Sequence, residues 1–556
     1  MRRYTIAAAG LLAATSAVPV RADDGGPAAQ QAAPPTTLVV AISVDQLSAD
    51  IFAEYRQTYS KGMRRLESGI VFPSGYQSHA ATETCPGHST ILTGSHPART
   101  GIVANAWIDY SVTRGPKGSH EVYCAEDETV AGTTVSPKDY VLSTGHLKVP
   151  TMGDRMKRAD PRSRVVAVAG KDRAAIMMGG HTTDQMWFLD PKAGASYVTL
   201  PGRDPALPGP VAAVNKRVAG LVAHPPSHAL PASCKARVAA LQVGPKGPVV
   251  GRLVNPQEFF TASPEFDAAT ADIAIGLLRS MKLGKGPAPD LLAIGLSAND
   301  YVGHAYGTAG VEMCMQQAAL DQTVGRILDA LDKTGVNYIV VLTADHGGSD
   351  IPERNALRGF EDSGRLNLPG MLQSVGTELV REFNLGLDGK TLFANAMQGD
   401  IYLNPAVPAA LRAQVLASAR TRIQAVPQVA AVLTPAEIVA APAPTTPADE
   451  WTLVEKAHAS YDPARSGDLI VVPRSHILPF PVVPKYVSLH GAPWNYDRRV
   501  PMLFAYRGMV PHEQPFPVDT VDILPTLAPF IGLKVPGGEI DGRCIDLDPG
   551  TGTTCR

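Results

Sequence analysis

Three aspartates stand at the ends of apolar runs whose β-branched residues are typical of buried parallel strands. Asp45 closes the first run, Asp300 follows the second and Asp345 follows the third. The carboxyl ends of parallel strands meet at one edge of a sheet, so we expect the chemistry of the protein at that edge. A single aspartate in this position is often only a helix N-cap and would indicate little by itself.

Three histidines accompany these carboxylates. His304 lies four residues after Asp300, which puts both side chains on one side of a helical turn. His346 directly follows Asp345, with two glycines after it that allow a sharp turn, and His490 lies in a loop before the apolar run "VPMLFAY". Carboxylate oxygens and imidazole nitrogens are good zinc ligands. Six such ligands suffice for two metal ions with three protein ligands each and open positions left over.

The stretch "ATETCPGHST" gathers hydroxyl, thiol and imidazole groups around Pro86-Gly87, a pair expected to start a helix. Cys85 lies at the helix start, where a thiol pKa falls, so its thiolate is one candidate nucleophile. Thr84 lies at the same place, where backbone N–H groups favour an alkoxide and a bound phosphate. An even set of cysteines in an exported protein favours disulfides, and a bridged Cys85 cannot attack.

Six cysteines fit an oxidising compartment. Six allow fifteen pairings, so the sequence does not fix the connectivity. We expect neighbours to pair in chain order, with the last pair the safest because its loop is short. The expected pairs are Cys85 with Cys124, Cys234 with Cys314, and Cys544 with Cys555.

The apolar runs belong to an alternation of strands and helices. Residues 37–45, 290–300 and 337–348 predict strands, and the periodicity of "EMCMQQAALDQTVGRILDALDKTG" predicts a helix between the last two. The sequence Ser263-Pro264-Glu265 marks the start of another helix. This order predicts an α/β fold with a mainly parallel central sheet flanked by helices.

The N-terminal sequence predicts export. A basic start at Arg2 and Arg3, an apolar stretch to about Val20 and small residues near Ala22 are typical of a signal peptide over residues 1–22. A membrane anchor is the rival interpretation, but the apolar stretch is short for a spanning helix, so we expect no anchor after cleavage. The protein is therefore expected in the periplasm or the medium.

The rest of the chain is expected to form a linker and one catalytic domain. Residues 23–36 are rich in Pro, Ala and Gln and predict a linker, and residues 37–556 predict the domain. Stretches at about 190–260 and 350–480 interrupt the strand and helix pattern and are expected to be inserted cap subdomains. A net charge of -2 without runs of Lys or Arg predicts no nucleic-acid partner, and a monomer is the default expectation.

Seven short motifs occur in an order that resembles a known superfamily. They are Asp45, "TETCPGHSTILTG", Asn105 in "ARTGIVANAW", "GKDR", "DYVGH", "ADHGG" and "LHG". Together they resemble the alkaline phosphatase superfamily, specifically its type I phosphodiesterase/nucleotide pyrophosphatase branch and the threonine-nucleophile alkaline phosphatases of the SPAP/PafA type. The resemblance extends from about Thr37 to the late stretch "VDTVDILPTLAPFIG" and implies an alkaline phosphatase-like core.

The resemblance implies two Zn²⁺ per chain and makes Thr84 the nucleophile. A hydroxyl is a weak nucleophile at neutral pH, and zinc is the kind of activator it needs. By resemblance one ion would meet Thr84 and be held by Asp45, Asp345 and His346, and the other would be held by Asp300, His304 and His490. Cys85 then becomes a disulfide partner.

The "GKDR" motif carries two cations, Lys171 and Arg173, on either side of Asp172. Composition alone favours a solvated turn here. In the monoesterase branch, however, these positions hold the nonbridging oxygens of a phosphate monoester dianion, a task that suits an ammonium and a forked guanidinium. By resemblance Asn105 would donate a further hydrogen bond to the phosphate. Diesterase relatives lack the Lys-x-Arg element, so its presence favours monoesters.

The resemblance thus implies an exported zinc-dependent alkaline phosphatase that cleaves small phosphate esters through a phosphothreonine intermediate. It implies a broad substrate range, release of inorganic phosphate and some phosphodiesterase activity. The alternative is a phosphodiesterase or nucleotide pyrophosphatase with the same two-zinc core. A sulfatase is less favoured because Pro86 directly follows Cys85, whereas sulfatases mature a Cys or Ser within C/S-x-P-x-R.

A binding protein without activity is a further alternative, but such a protein would be expected to lack a ligand, and none of the six is missing. The other histidines match no ligand position of the family and are expected to be structural. They include His79, His88, His96, His181, His458 and His476.

Overall fold

Strands and helices alternate along the chain, as the sequence predicts. The structure, a computed structural model, describes residues 35–556 apart from 116–117, 135–138, 191–194, 203–207, 253–259, 396–398 and 484–485. The predicted signal peptide and all but the end of the predicted linker lie outside these residues. Residues 35–556 cluster as one compact unit.

The described residues contain twenty strands. They are β1 (Leu38–Val44), β2 (Ile70–Tyr76), β3 (Ala106–Ile108), β4 (Glu121–Tyr123), β5 (Val165–Ala169), β6 (Gln185–Asp190), β7 (Ser196–Val198), β8 (Leu241–Gln242), β9 (Val249–Val250), β10 (Asp290–Leu296), β11 (Tyr338–Thr343), β12 (Gly364–Arg365), β13 (Phe393–Ala394), β14 (Asp400–Leu403), β15 (Val429–Leu433), β16 (Leu469–Pro473), β17 (Ile477–Leu478), β18 (Arg499–Tyr506), β19 (His512–Glu513) and β20 (Val518–Asp519).

Seventeen α-helices are described in the same residues. They are α1 (Ala49–Tyr55), α2 (Gly62–Glu67), α3 (Thr84–Ile91), α4 (Pro97–Thr100), α5 (Met152–Ala159), α6 (Asp172–Gly179), α7 (Gly209–Ala223), α8 (Pro264–Ser280), α9 (Ala298–Tyr306), α10 (Val311–Asp332), α11 (Pro352–Leu357), α12 (Leu368–Glu382), α13 (Ala409–Gln424), α14 (Pro435–Ala440), α15 (Leu453–His458), α16 (Asn495–Arg498) and α17 (Ile523–Leu527).

The main sheet confirms the predicted mainly parallel α/β fold. Its strands lie in the order β19-β2-β18-β11-β1-β10-β5-β6-β7, and β20 pairs with β2. The three predicted strands are adjacent, because β1 pairs in parallel with both β10 and β11. Two features were not predicted: β18 runs antiparallel between β11 and β2, and β7 runs antiparallel to β6.

Alternate side chains of β1 enter two different apolar layers. Leu38, Val40 and Ile42 pack in one cluster with helices α8 and α10, whereas Val39 and Ala41 pack in a second cluster on the other face of the sheet. Every residue of β1 is buried. A strand covered on both faces has apolar residues on both faces. This explains why β1 is a continuous apolar run rather than an alternation of apolar and polar residues.

A smaller sheet lies within the second predicted insertion, at about 350–480. Strands β13, β14, β16 and β15 form it in that order. Together with α12 and α13 it encloses an apolar cluster of its own, whose residues fall between Leu366 and Ile477. The first predicted insertion, at about 190–260, contains α7 and the short β8–β9 pair.

Three disulfides join the six cysteines as expected. Cys85 bonds to Cys124, Cys234 to Cys314, and Cys544 to Cys555. The second of these ties the segment after α7 to helix α10. Among the helices of the described residues, none has the length and apolar character needed to cross a bilayer.

Candidate active site

The predicted ligands meet at the carboxyl edge of the main sheet. Asp45 directly follows β1, and its backbone N–H donates to the carbonyl of Leu296 at the end of β10. Asp300 lies in the first turn of α9 and Asp345 follows β11. His490 precedes β18, and because β18 is antiparallel, the start of that strand lies at this same edge.

One group of three ligands is the predicted set of Asp300, His304 and His490. All three are buried and their ligand atoms lie within 4.8 Å of one another. Asp300 Oδ1 is 3.3 Å from His304 Nε2 and 3.4 Å from His490 Nε2. The Nδ1 atoms of the two histidines donate to the backbone carbonyls of Ser488 (2.9 Å) and Thr82 (2.8 Å). These hydrogen bonds turn Nε2 of each ring toward Asp300.

A second group contains Asp45, Asp300 and His346, again with ligand atoms within 4.8 Å. Asp300 therefore belongs to both groups. His346 Nε2 is 3.6 Å from Asp45 Oδ1 and 3.2 Å from Asp345 Oδ2. Its Nδ1 donates to the carbonyl of Gly347 at 2.8 Å. The structure thus places Asp345 beside the second group, while Asp300 completes the set of three.

Asp345 is held by groups that the sequence did not indicate. Its Oδ1 accepts from the backbone N–H groups of Gln46 (3.1 Å) and His346 (3.0 Å). Its Oδ2 lies 3.0 Å from Nδ1 of His88, which also donates to the carbonyl of Thr84. His88 was expected to be structural, and its contact with Asp345 was not predicted. Its position four residues after Thr84 on a helix was the available signal.

The site has the character of a divalent metal centre. Three of its buried ligand atoms have no hydrogen-bond partner among the described residues: Asp45 Oδ1, Asp300 Oδ1 and His346 Nε2. Buried polar atoms without partners are costly, and a cation would satisfy all three. Imidazole nitrogen with carboxylate oxygen is a donor set that suits zinc.

The pKa values of the ligands reflect burial and crowding of charge. Burial and the neighbouring Asp45 raise the pKa of Asp345 to about 7. Burial lowers the pKa of His304 to about 4. Burial alone would raise the pKa of Asp300, but His304 and Lys171 outweigh it and hold that pKa well below its usual range. Carboxylates this close repel one another unless a cation lies between them.

Lys171 supplies one such cation. Its Nζ contacts Asp45 Oδ2 at 2.8 Å and also contacts Asp300 Oδ2. Burial disfavours its charge, yet the two aspartates raise the pKa of Lys171 above its usual value. Lys171 is the N-cap residue of α6, which begins directly after β5, so the strand order brings it to this edge.

The hydroxyl of Thr84 contacts both predicted cations, and one of them, Lys171, also contacts Asp45 and Asp300. Thr84 is the first residue of α3, whose N-cap is Glu83, and all residues of α3 are buried. Lys171 Nζ and Arg173 NH2 each donate to Thr84 Oγ1 at 3.4 Å. The neighbouring Cys85 is bonded to Cys124, which removes the rival nucleophile.

Asn105 holds the start of α3. Its Oδ1 accepts from the backbone N–H of Cys85 at 2.8 Å, and its own N–H donates to Glu83 Oε2 at 2.7 Å. Burial raises the pKa of Glu83 to about 7. Glu83 is a second residue that the sequence did not single out, since nothing local distinguishes it from a surface glutamate.

The chain is similar in sequence and fold to known phosphate-ester hydrolases. Residues 39–478 match the family described as type I phosphodiesterase / nucleotide pyrophosphatase. The chain is 48% identical to the alkaline phosphatase PhoD of Zymomonas mobilis over 523 residues, covering 93% of this chain and 89% of that protein. It is 48% identical to the alkaline phosphatase PhoK of Sphingomonas sp over 527 residues, covering 93% and 92%. The crystal structure of the alkaline phosphatase PafA superposes with a TM-score of 0.79 at 26% identity, covering 92% of this chain and 99% of that one.

Proposed function

Because the chain belongs to the type I phosphodiesterase/nucleotide pyrophosphatase family, and within it to the alkaline phosphatases of the PafA type, we propose that it is an exported, two-zinc phosphomonoesterase that uses Thr84 as its nucleophile. Its membership of the alkaline phosphatase class rests on the 48% identity to two alkaline phosphatases over most of the chain. The intermediate, the metal and the substrate range are the proposal.

One observation carries the proposal. A threonine hydroxyl lies at the start of a buried helix with an ammonium and a guanidinium each 3.4 Å away, beside two groups of metal ligands. A hydroxyl needs an activator to act as a nucleophile, and a phosphate dianion needs cations around its nonbridging oxygens. The site offers both within one small volume.

In the proposed reaction Thr84 Oγ1 gives up its proton and attacks phosphorus, the bond to the leaving oxygen breaks on the opposite side, and the leaving oxygen takes up a proton. Lys171 and Arg173 hold the nonbridging oxygens of the phosphoryl group, and the N–H groups at the start of α3 face the same charge. Asn105 Nδ2 adds a hydrogen bond, since its Oδ1 is already used by Cys85. Water then cleaves the phosphothreonine, which releases inorganic phosphate and restores the hydroxyl.

The six predicted ligands fit two zinc ions. Asp300, His304 and His490 would hold one ion, and Asp45, His346 and Asp345 the other, with Asp300 close to both. When bound, zinc lowers the pKa of a coordinated hydroxyl and stabilises a leaving oxygen.

The proposal is tested by metal analysis together with turnover of p-nitrophenyl phosphate. We expect about two zinc ions per chain, loss of activity after chelation with return on adding zinc, and loss of nearly all turnover in Thr84→Ala. Thr90→Ala is a matched control, because Thr90 lies on the same helix and its hydroxyl bonds to Gln77 and the carbonyl of Gly87. Turnover by a metal-free preparation would rule the proposal out.

Preference for monoesters is tested by comparing mono- and bis-p-nitrophenyl phosphate. A diester lacks the second negative charge, so Lys171→Ala and Arg173→Ala should reduce monoester turnover far more than diester turnover. Equal losses on both substrates would instead favour the alternative, a phosphodiesterase or nucleotide pyrophosphatase with the same metal centre.

A further inference from the structure

The hairpin of β3 and β4 lies between Asn105 and Cys124, and Cys124 is bonded to Cys85, the residue after Thr84. Strands β3 and β4 pair antiparallel, with Ala106 opposite Tyr123. Asn105 directly precedes β3, and Cys124 directly follows β4. The backbone N–H of Cys124 donates to the carbonyl of Asn105 at 3.0 Å, so the two ends of the hairpin are held side by side.

Tyr123, at the end of this hairpin, reaches the "GKDR" motif. Its hydroxyl donates to Asp172 Oδ1 at 2.7 Å and accepts from Arg173 NH1 at 3.4 Å. The ring stacks on Tyr140 with centroids 4.8 Å apart and an angle of 8° between the planes. Burial raises the pKa of Tyr123 far above its usual value, so the hydroxyl keeps its proton.

The guanidinium of Arg173 is divided between two partners. NH2 donates to Thr84 Oγ1 and NH1 donates to Tyr123. The carboxylate of Asp172 is 3.9 Å from NH1 and is engaged by the tyrosine hydroxyl and by the backbone N–H of Arg173. Without the hydroxyl, Asp172 would be free to draw the guanidinium toward itself and away from the nucleophile, because an arginine and a carboxylate pair readily at this range.

We propose that Tyr123 is a positioning residue that sets the preference for phosphate monoesters by holding Asp172 and Arg173 so that the guanidinium points at Thr84 Oγ. This inference rests on the proposed function, in which Arg173 binds the phosphoryl oxygens. Tyr123 acts through Arg173 and touches no reacting atom itself.

The disulfide between Cys85 and Cys124 holds Tyr123 at a fixed position relative to Thr84. Cys85 is the residue after the nucleophile, and Cys124 is the residue after Tyr123. Both cysteines are fully buried. The disulfide therefore fixes the backbone at Thr84 relative to the backbone at Tyr123. Thr84 and Arg173 must contact the same phosphoryl group, so their relative position has to be fixed.

The test is Tyr123→Phe, which removes only the hydroxyl. We expect kcat/KM for p-nitrophenyl phosphate to fall about tenfold, as for a lost hydrogen bond to a charged group, while kcat/KM for the bis ester changes less than about twofold. In an Arg173→Ala background the same substitution should change monoester turnover by less than about twofold, since the group it positions is gone.

Tyr110→Phe is the matched control. Tyr110 lies just beyond β3, and its hydroxyl donates to the carbonyl of Tyr402 rather than to Arg173. This variant should leave the ratio of monoester to diester turnover unchanged. Zinc content and melting temperature of Tyr123→Phe should match those of the parent protein, which separates positioning from damage to the fold.

The outcomes separate this inference from the function on which it rests. Suppose that Arg173→Ala lowers turnover of the monoester selectively, but Tyr123→Phe lowers turnover of both substrates equally or of neither. The proposed role of Tyr123 is then overturned, while the role of Lys171 and Arg173 in binding the phosphoryl oxygens stands. An effect of Tyr123→Phe that persists undiminished without Arg173 would also overturn it. If Arg173→Ala lowers turnover of both substrates equally, the proposed role of Arg173 in binding the phosphoryl oxygens is wrong, and the inference about Tyr123 is wrong as well.

Discussion

At the scale of single residues, the backbone decides where each metal-facing imidazole points. All three rings donate Nδ1 to a carbonyl, and the carbonyls belong to Ser488, Gly347 and Thr82. The tautomer that leaves Nε2 for the metal is thus fixed before any ion binds. The rings of His346 and His490 also stack with centroids 3.6 Å apart, which restricts their rotation.

A buried chain of hydrogen bonds runs from Tyr59 to the backbone carbonyl of Asp45. Tyr59 donates to Gln317 Oε1 at 2.7 Å, Gln317 Nε2 donates to Asn299 Oδ1 at 2.6 Å, and Asn299 Nδ2 donates to the carbonyl of Asp45 at 3.0 Å. Asn299 directly precedes Asp300. One amide side chain therefore links the backbones of two ligands.

Replacing this amide should loosen the metal centre. In Asn299→Ala the carbonyl of Asp45 and the amide of Gln317 each lose the hydrogen bond to Asn299, so we expect zinc affinity to fall about tenfold or more, with kcat reduced at limiting zinc. Competition with a chromophoric chelator measures the affinity. Tyr59→Phe, at the far end of the chain, is the control and should change it much less; an equal change would show that the chain only stabilises the fold.

The site residues that could be predicted are those with a local signature. Asp300 and His304 lie four residues apart, and Asp345 and His346 are adjacent, so the spacing predicts that each pair lies close together, whereas their assignment as zinc ligands came from the family resemblance. Asn299 and Tyr123 act through contacts with residues far away in sequence or with a backbone atom. No pattern in a single sequence marks such contacts, because they exist only once the elements have packed.

At the scale of elements, helix α3 packs against the loop after β11 without room for a side chain. A Cβ on Gly87 would lie 1.9 Å from the carbonyl oxygen of Asp345. The absence of a side chain at this position is what lets the helix that carries Thr84 approach the loop that carries Asp345 and His346.

Gly87→Ala should separate Thr84, the proposed nucleophile, from the proposed metal ligands Asp345 and His346. We expect at least about a hundredfold loss of monoester kcat, because a displacement near 1 Å costs about that much, together with lower zinc content. Gly220→Ala is the control, since Gly220 lies on α7 with no atom within 4 Å of the added Cβ. Alanine there should be neutral or slightly stabilising. Similar activity in the two variants would contradict the packing argument.

Asp267 on α8 supports the helix that carries two ligands. Its carboxylate is buried and accepts from the N–H of Ala298, the first residue of α9, and from Gln316 Nε2. Burial raises the pKa of Asp267 from 3.8 to about 7. Between these values the unfolded chain has lost the proton and the folded chain keeps it, so the free energy of unfolding falls as the pH rises.

Asp267→Asn should remove this part of the pH dependence. At pH 8 we expect the variant to unfold with a free energy about 4 kcal/mol higher than the parent, whereas below pH 4 the two should be equal. The new amide can face Oε1 of Gln316, which has no partner among the described residues. Chemical unfolding across pH measures the difference, and parallel curves for the two proteins would contradict the assignment.

The strands that could be predicted are those covered on both faces. Strands β1, β10 and β11 are buried along nearly their whole length, so composition alone marks them. The antiparallel placement of β18 could not be predicted, because an apolar run has the same composition whichever way it points. The small sheet around β16 likewise depends on pairings between distant segments.

At the scale of the whole molecule, the three disulfides close loops of very different length. The pair Cys234 and Cys314 is 80 residues apart in sequence, and the pair Cys544 and Cys555 is 11 apart. In the loop-entropy description, a longer loop costs the unfolded chain more freedom when it is closed.

Removing the long-loop disulfide should therefore cost more stability than removing the short one. Replacing both Cys234 and Cys314 by Ser should lower the free energy of unfolding by about 4 kcal/mol, against about 3 kcal/mol for the pair at 544 and 555. Reversible unfolding in urea measures both. The reverse order would mean that strain or packing, rather than loop entropy, governs these bonds.

The pairing of β2 sets an order of events during synthesis. This strand precedes the nucleophile, yet in the described residues it pairs with β18, β19 and β20, all beyond residue 498. A nascent chain that has emerged as far as His490 holds every residue of the proposed chemistry but offers β2 no neighbour to pair with. We therefore expect the main sheet, and with it the candidate site, to be completed only when the residues after 498 are available for pairing. A chain cut short just after His490 should be a substrate for proteases rather than a weak enzyme.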